Sequence, residues 1–464
     1  MDFSSSNTWL WRAVFQFGAF FVILLISNLL RRKVPPVKKS LMPISVIGGF
    51  LLLLVRSTGF LNLDELLPNT LLDAITYHSI AIGFIAMSLR TQTKDQKSDS
   101  MTAPKSGALI VSCYTIQGVF GLIISLALSF TLLPHFFQAS GILLPMGYGQ
   151  GPGQANNVGG TYEALGFIGG RSFALAIAAS GFLCACIVGV IYINVLHRKG
   201  KVKVSADRDG DDDDISINTF QEPGEFPISE SMDRFSVQLA LVVAIYIVTY
   251  FVMGWVVSLF GLLGEGVRTT AVSLIWGFNF IFGSVIAVLF KVALKQLRQR
   301  GAMTRQYQNN YLLNRISGVA FDLMIVAGIG SIDIGDLSGY WIPFILMSIA
   351  GGLVTLFYLQ WICKKLYPGY FYEGMLSMYG MMTGTISSGV LLVREIDPLL
   401  VTPAANNLVT GSSFAVLFGA PMLLLIGIAP NSQTTTFAVL GILVVYSALL
   451  LLFLLKAKPR KKKQ

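Results

Sequence analysis

Charge is what this sequence has least of. Only 12% of its 464 residues are Asp, Glu, Lys or Arg, against 54% hydrophobic, and the mean hydropathy is +0.67. That balance excludes ordinary soluble globular usage and points to a polytopic membrane protein. Histidine and cysteine are also scarce. His78, His135 and His197 lie scattered near the ends of apolar runs, with no nucleophile-and-base motif and no pair of catalytic carboxylates, so the chain is not expected to be an enzyme. The cysteines, Cys113, Cys184, Cys186 and Cys363, all sit in apolar runs without a CxxC pair. Cys184 and Cys186 are two apart, so on a helix they face different ways and cannot clasp one metal; they read as small buried hydrophobes. No glycine-rich loop carries the lysine that a phosphate-binding loop requires, which removes direct use of ATP. No resident cofactor is expected.

The formal net charge of +10 does not imply nucleic acid, because the basic residues follow membrane topology. Apolar runs at 9–30, 42–55, 71–89, 108–133, 172–195, 237–260, 269–290, 316–332, 341–363, 407–428 and 436–455 predict about 11 transmembrane helices, most of them near or above the roughly 20 residues that cross a bilayer. The first lacks a basic n-region and a cleavage site, so it reads as a retained span. Lys and Arg gather in alternate connections: Arg31, Arg32 and Lys33; Arg90, Lys94 and Lys97; Arg198, Lys199 and Lys201; Lys295, Arg298 and Arg300; Lys364 and Lys365; and the lysine-rich tail. With positive charge retained inside, the N-terminus is predicted outside and the C-terminus in the cytoplasm.

A polar segment, 197–235, divides the chain and carries Asp209, Asp211, Asp212, Asp213 and Asp214. It reads as a disordered cytosolic linker, since the Asp run lacks the alternating ligands and closing Glu of an EF-hand loop. On each side the pattern is four spans, a glycine-rich polar stretch and one more span: residues 1–196, then 236–430, with a final helix and basic tail at 431–464. Each copy has an odd number of crossings, so the second is inverted relative to the first, as in many secondary transporters.

The first stretch, ILLPMGYGQGPGQANNVGGTYEALG at 142–166, cannot be an ordinary span. Glycine permits close approach of backbone, Pro152 interrupts a helix, and Gln150, Gln154, Asn156 and Asn157 supply neutral donors and acceptors. Unpaired backbone at membrane depth is tolerated only where protein or water covers it, which predicts a re-entrant hairpin at about 141–162. The second stretch, at about 373–393, presents Thr383, Gly384, Thr385, Ser387, Ser388 and Gly389 at its tip, ligands suited to a hard cation or a carboxylate. Arg394, Glu395 and Asp397 follow it.

In GMMTGTISSGVLLVREIDP (380–398) and TPAANNLV (402–409) the sequence resembles the bacterial sodium/glutamate symporter family. The likeness covers the layout of most of the chain, but only this motif is specific. It implies two inverted five-helix repeats, each with a glycine-rich re-entrant loop. It also implies sodium-coupled symport of glutamate or a related small carboxylate across the bacterial inner membrane, by an elevator-like cycle, and a homodimer. The first stretch, GYGQGPGQANNVGG, is richer in amides than the short Gly-Gly-x-Gly run usual in that family. A proton- or sodium-coupled carrier of another organic anion, such as a hydroxycarboxylate, is the alternative.

The expected substrate contacts are Gln150, Gln154, Asn156, Asn157, Thr383, Thr385, Ser387, Ser388 and Arg394, and the expected sodium contacts are Thr161, Glu163, Asp322, Asn406 and Asn407. Each has a plainer reading. Arg394 equally suits a pair with Glu395 or Asp397, Glu163 suits a helix terminus, Asp322 is functional only at mid-membrane, and the asparagine pairs equally suit bracing of broken backbone. Asp73, Tyr77 and His78 share one side of a helix, which suggests either a proton relay or a helix-end cluster.

Overall fold

The structure, a computed structural model, describes residues 2, 4–39, 41–59, 63–90, 101–203, 231–262, 272, 275–277, 279–301, 307–397 and 401–456. Among these residues there is no strand. In chain order the helices are α1 (Thr8–Lys33), α2 (Pro35–Lys39), α3 (Ile44–Thr58), α4 (Leu63–Leu66), α5 (Asn69–Leu89), α6 (Thr102–Phe130), α7 (Leu143–Tyr148), α8 (Pro152–Ala164) and α9 (Gly170–Arg198). They continue as α10 (Ser231–Gly261), α11 (Asn279–Gln299), α12 (Asn310–Gly330), α13 (Trp341–Leu366), α14 (Phe371–Thr383), α15 (Ile386–Arg394), α16 (Ala404–Ile428) and α17 (Gln433–Lys456).

Ten of these helices are long and apolar enough to cross a bilayer, which makes the chain an all-α polytopic membrane protein. The expected second span, 42–55, is α3, whose 15 residues reach only about 22 Å at 1.5 Å per residue. The start of the expected span 269–290, most of the linker with its Asp run, and the tail beyond 456 lie outside the described residues. The outer face of α1 shows Trp9, Phe15, Phe17, Leu25 and Leu29 exposed, as expected where the surrounding medium is hydrocarbon.

The chain forms two compact units that interleave in sequence: one of 1–73, 98–205 and 325–464, the other of 74–97 and 206–324. This division cuts across the two sequence halves. In the smaller unit, α5 beyond Asp73, α10, α11 and most of α12 close around Ile85, Ala86, Leu89, Val242, Ile245, Ala287, Leu313 and Ile316. Gly83 lies against the ring of Phe321 and Gly283 against Ile85, so the helices approach closely at small residues. Polar groups in this unit serve its own packing. His78 Nδ1 lies 2.7 Å from the Tyr246 hydroxyl, Tyr77 donates to the Trp276 carbonyl (2.8 Å), and Lys291 donates to the carbonyls of Ser88 (2.7 Å) and Arg90 (3.0 Å).

In the larger unit the central helix is α6, an apolar helix of 29 residues that is largely buried. Close packing at its C-terminal half depends on Gly121 and Gly141, where a β-carbon on either would overlap the other's backbone. All four cysteines are free, and three are buried.

Candidate functional site

The two glycine-rich stretches both fold as helix, break, helix. The first runs through a 3₁₀ turn at Gln138–Ile142, then α7, a break at 149–151, and α8. Gly151 adopts φ +87°, ψ −174°, a conformation nearly closed to residues with a β-carbon, and Pro152 starts α8 at the position where a missing N–H costs nothing. The second runs through α14, a break at Gly384 and Thr385, and α15.

Contacts along α6 place these segments. Near its C-terminal end, Ser125 donates to the Gln138 carbonyl (2.6 Å), where the first segment begins. Near its N-terminal end, the hydroxyl of Ser106 lies 2.7 Å from that of Tyr367, just before the second segment. Ser106 and Ser125 are about 28 Å apart along the helix. Between them, Gln117 donates from Nε2 to the carbonyl of Met382 (2.9 Å) and to the hydroxyl of Thr355 (2.8 Å). The two segments therefore start at opposite ends of α6 and reach its middle. Each also returns to the end it left. Phe137, before the first, stacks on Phe167, after it (5.2 Å), and Tyr370, before the second, accepts a hydrogen bond from Asn407 Nδ2 in the first turn of α16 (2.8 Å).

The breaks meet. A β-carbon on Gly151 would lie 3.7 Å from Thr385 Cγ2 and 3.8 Å from the Gly384 carbonyl, and the Thr383 carbonyl lies directly over Gly181 of α9. Both outgoing helices, α8 and α15, have their N-termini at this junction, and neither N-cap residue caps its helix with a side chain. The free N–H groups of two first turns are thus gathered in one place, while the incoming α14 brings its C-terminal carbonyls.

Several buried polar atoms here have no hydrogen-bond partner: Gln154 Oε1, Asn156 Oδ1, Thr385 Oγ1, Ser388 Oγ and Gln117 Oε1. Gln154 is 2% exposed, Asn156 5% and Ser388 2%. Buried polar atoms are normally satisfied, so a cluster of exceptions at one junction marks a place able to take up a solute, an ion or water. Ser388 Oγ is aimed at the second break, 2.9 Å from where a β-carbon on Gly384 would stand.

Of the expected substrate contacts, Gln154, Asn156, Asn157, Thr383, Thr385 and Ser388 lie at or within two turns of the junction, and half-buried Gln150 is in the first break itself. Thr383 spends its hydroxyl on the Tyr379 carbonyl (2.8 Å), and its own carbonyl packs against Gly181 of α9. Ser387 is exposed. Arg394 is exposed at the far end of α15, about 12 Å along the helix from the break. The expected sodium contacts within the larger unit are not brought together. Thr161 donates to the Asn157 carbonyl (3.0 Å), and Glu163, in the last turn of α8, accepts from the Arg171 backbone (3.2 Å). Asn406 and Asn407 stand at the base of the second hairpin, and Asp322 belongs to the other unit. Asp73 pairs with Arg171, while Tyr77 and His78 turn to Trp276 and Tyr246, so the three form no single relay. No group of three His, Cys, Asp or Glu suited to a metal occurs among the described residues.

Sequence reasoning missed Gln117, Thr355, Tyr148 and Tyr379. Gln117 had a signal, an amide in the middle of a long apolar helix. Tyr148 had none: its hydroxyl donates to the Ser348 carbonyl (2.6 Å) and so ties the end of α7 to α13. Set against models of known protein families and against curated proteins, the chain matches none.

Proposed function

We propose that the chain is a secondary transporter that carries glutamate or a related small carboxylate together with sodium, by an elevator-like alternating-access cycle in the bacterial inner membrane. The observation that carries this reading is the junction of two broken helices that start from opposite ends of α6, lined by unpartnered amides and hydroxyls. Free N–H groups at the starts of α8 and α15 suit an anion, and the carbonyls ending α14 suit a cation. Coupling follows when the cation organises the anion site, so that the doubly loaded carrier crosses more readily than the half-loaded one. Transport is favoured over intramembrane catalysis because the junction holds amides and hydroxyls, without a carboxylate pair or a histidine beside them. The homodimer, the external N-terminus and the cytoplasmic C-terminus belong to the same proposal.

The test is uptake by protein reconstituted in liposomes, using labelled glutamate and a panel of small carboxylates with and without an inward sodium gradient. Saturable uptake that rises at least tenfold with the gradient is expected. Equal uptake under a proton gradient alone would transfer the reading to a proton-coupled carrier of organic anions, and non-saturating flux would replace it with a channel. Bulky apolar replacements, Thr385→Leu or Ser388→Leu, are expected to abolish uptake while the protein still inserts.

A further inference from the structure

We infer that, within the small carboxylates proposed above, the site prefers a zwitterionic α-amino acid with an uncharged polar side chain to a dicarboxylate such as glutamate. This rests on the transport reading above and specifies the substrate of that same site.

The argument begins with where charge is placed. The junction is formed by α7, α8, α14 and α15 with α6, α9 and α13 against them. Across these helices every Lys, Arg, Asp or Glu lies near the helix end remote from the junction: Lys105 on α6, Glu163 on α8, Arg171 and Arg198 on α9, Lys364 and Lys365 on α13, Glu373 on α14 and Arg394 on α15. The nearest along its own helix is Arg394, about 12 Å from the break. Among the described residues of these seven helices, no Lys or Arg is placed beside the junction to neutralise a second carboxylate.

The fixed charges that remain are helix ends. The N-termini of α8, 13 residues long, and α15, 9 residues long, each contribute about half a positive charge, enough together for one carboxylate. The C-terminus of α14 contributes the opposite pole, with its Thr383 and Gly384 carbonyls at the junction. A site with one positive and one negative pole matches a carboxylate and an ammonium held a few ångströms apart, which is the main-chain end of an α-amino acid.

The orphaned atoms describe the rest of the ligand. Gln154 and Asn156 bring amide oxygens that accept beside NH2 groups that donate, and Thr385 and Ser388 carry hydroxyls that do both. Groups of this kind match an amide or hydroxyl side chain. A second carboxylate would find only neutral donors there, and removing its hydration without a countercharge is expensive.

The experiment is competition against labelled L-glutamine uptake in proteoliposomes with a sodium gradient, using unlabelled L-glutamine, L-serine, L-glutamate and L-lactate. Glutamine and serine are expected to compete at least tenfold better than glutamate, because the latter's side-chain carboxylate finds no countercharge. Lactate, which keeps the carboxylate and lacks the ammonium, is expected to compete at least tenfold less well than serine. Glutamate equal to or better than glutamine overturns the substrate assignment and leaves sodium-coupled transport standing, as does lactate equal to serine, which would give the negative pole to sodium alone. If no solute of this panel or of the carboxylate panel above is taken up, the transport reading fails and this assignment with it. Gln154→Leu and Asn156→Leu are expected to lower glutamine uptake at least tenfold with little change in thermal unfolding, since the replaced oxygens have no partners to lose. Unchanged uptake in both variants would also overturn the assignment.

Discussion

The two broken segments share a plan and differ in what holds them. The first is built into its neighbours. Its incoming limb lies against α6 at Gly121 and Gly141, and its outgoing limb lies against α9 at Gly159, where a β-carbon would stand 2.8 Å from both the Gly170 carbonyl and the Ala174 side chain. Tyr162 adds a hydrogen bond to the Ile426 carbonyl (2.8 Å). The second segment is closed on itself: α14 and α15 touch backbone to backbone, with a β-carbon on Gly380 standing 2.7 Å from Gly389 Cα. Ser387 and Arg394 on its outgoing limb face outward. A hairpin that carries its own internal packing can shift as a body, whereas one whose halves are packed on different helices cannot move without unpacking them. The second hairpin, although it also rests on α6 through Gln117 and on α9 at Gly181, has the limbs that can stay packed on each other if it moves.

The largest expected effects test that contrast directly. Gly159→Val and Gly389→Val each force a branched side chain into occupied space, at a cost of about 3 kcal/mol. Gly159→Val is expected to lower the thermal stability of the whole larger unit, measured by unfolding in detergent. Gly389→Val is expected to open only the second hairpin, read as new proteolytic cleavage confined to 371–394 with helix content retained. The same outcome for both variants would break the comparison.

Next come the glycines at the breaks. Gly151 has room for a β-carbon but a φ of +87°, so Gly151→Ala is expected to cost about 1–3 kcal/mol through backbone strain alone. At Gly384 the obstacle is space, with the Gly380 carbonyl and Phe182 Cδ1 each 3.1 Å from the added carbon. Gly384→Ala is expected to spread this cost over neighbours and to impair uptake more than stability, which parallel unfolding and uptake measurements separate.

Gln117 links α6 to both α13 and the end of α14, so Gln117→Leu leaves the Met382 carbonyl without that donor. A loss of about 1–2 kcal/mol in unfolding stability is expected, larger than that for Gln154→Leu, whose oxygen has no partner.

The smallest effect concerns acid. Burial raises the proton affinity of Asp397, but hydrogen bonds to its carboxylate from the Thr402 hydroxyl (2.6 Å), the Thr402 N–H (2.9 Å) and the Val401 N–H (3.0 Å) outweigh this and hold it below the ordinary aspartate range. A depressed folded-state pKa stabilises above the ordinary value near 4 and ceases to do so as the pH falls through the depressed one. The connection leading to α16 is therefore expected to loosen in acid. Asp397→Asn should remove that pH dependence, read by hydrogen exchange at 401–407.

Much of the fold was legible because a membrane span announces itself by length and apolarity, and a glycine-rich, amide-rich interruption cannot be a span. Gln154, Asn156, Thr385 and Ser388 were legible for the same reason: polar side chains beside a broken backbone have few other uses. Arg394, Glu163 and the Asn406–Asn407 pair were not separable from them in the sequence. Proximity along the chain does not reveal which end of a helix a residue occupies relative to a junction formed by another segment. Gln117 lay more than 20 residues from either break, and only its contact with Met382 shows its place.

By itself the sequence determined a helical membrane protein with two broken segments, since hydrocarbon requires backbone hydrogen bonds within each span and glycine and proline disrupt them locally. Only the tertiary structure decided that the breaks meet, that two helix N-termini converge there, and that charged side chains stay away. Those are relations between segments distant in the chain, set by packing of small residues against one another, and no local pattern of residue types encodes them.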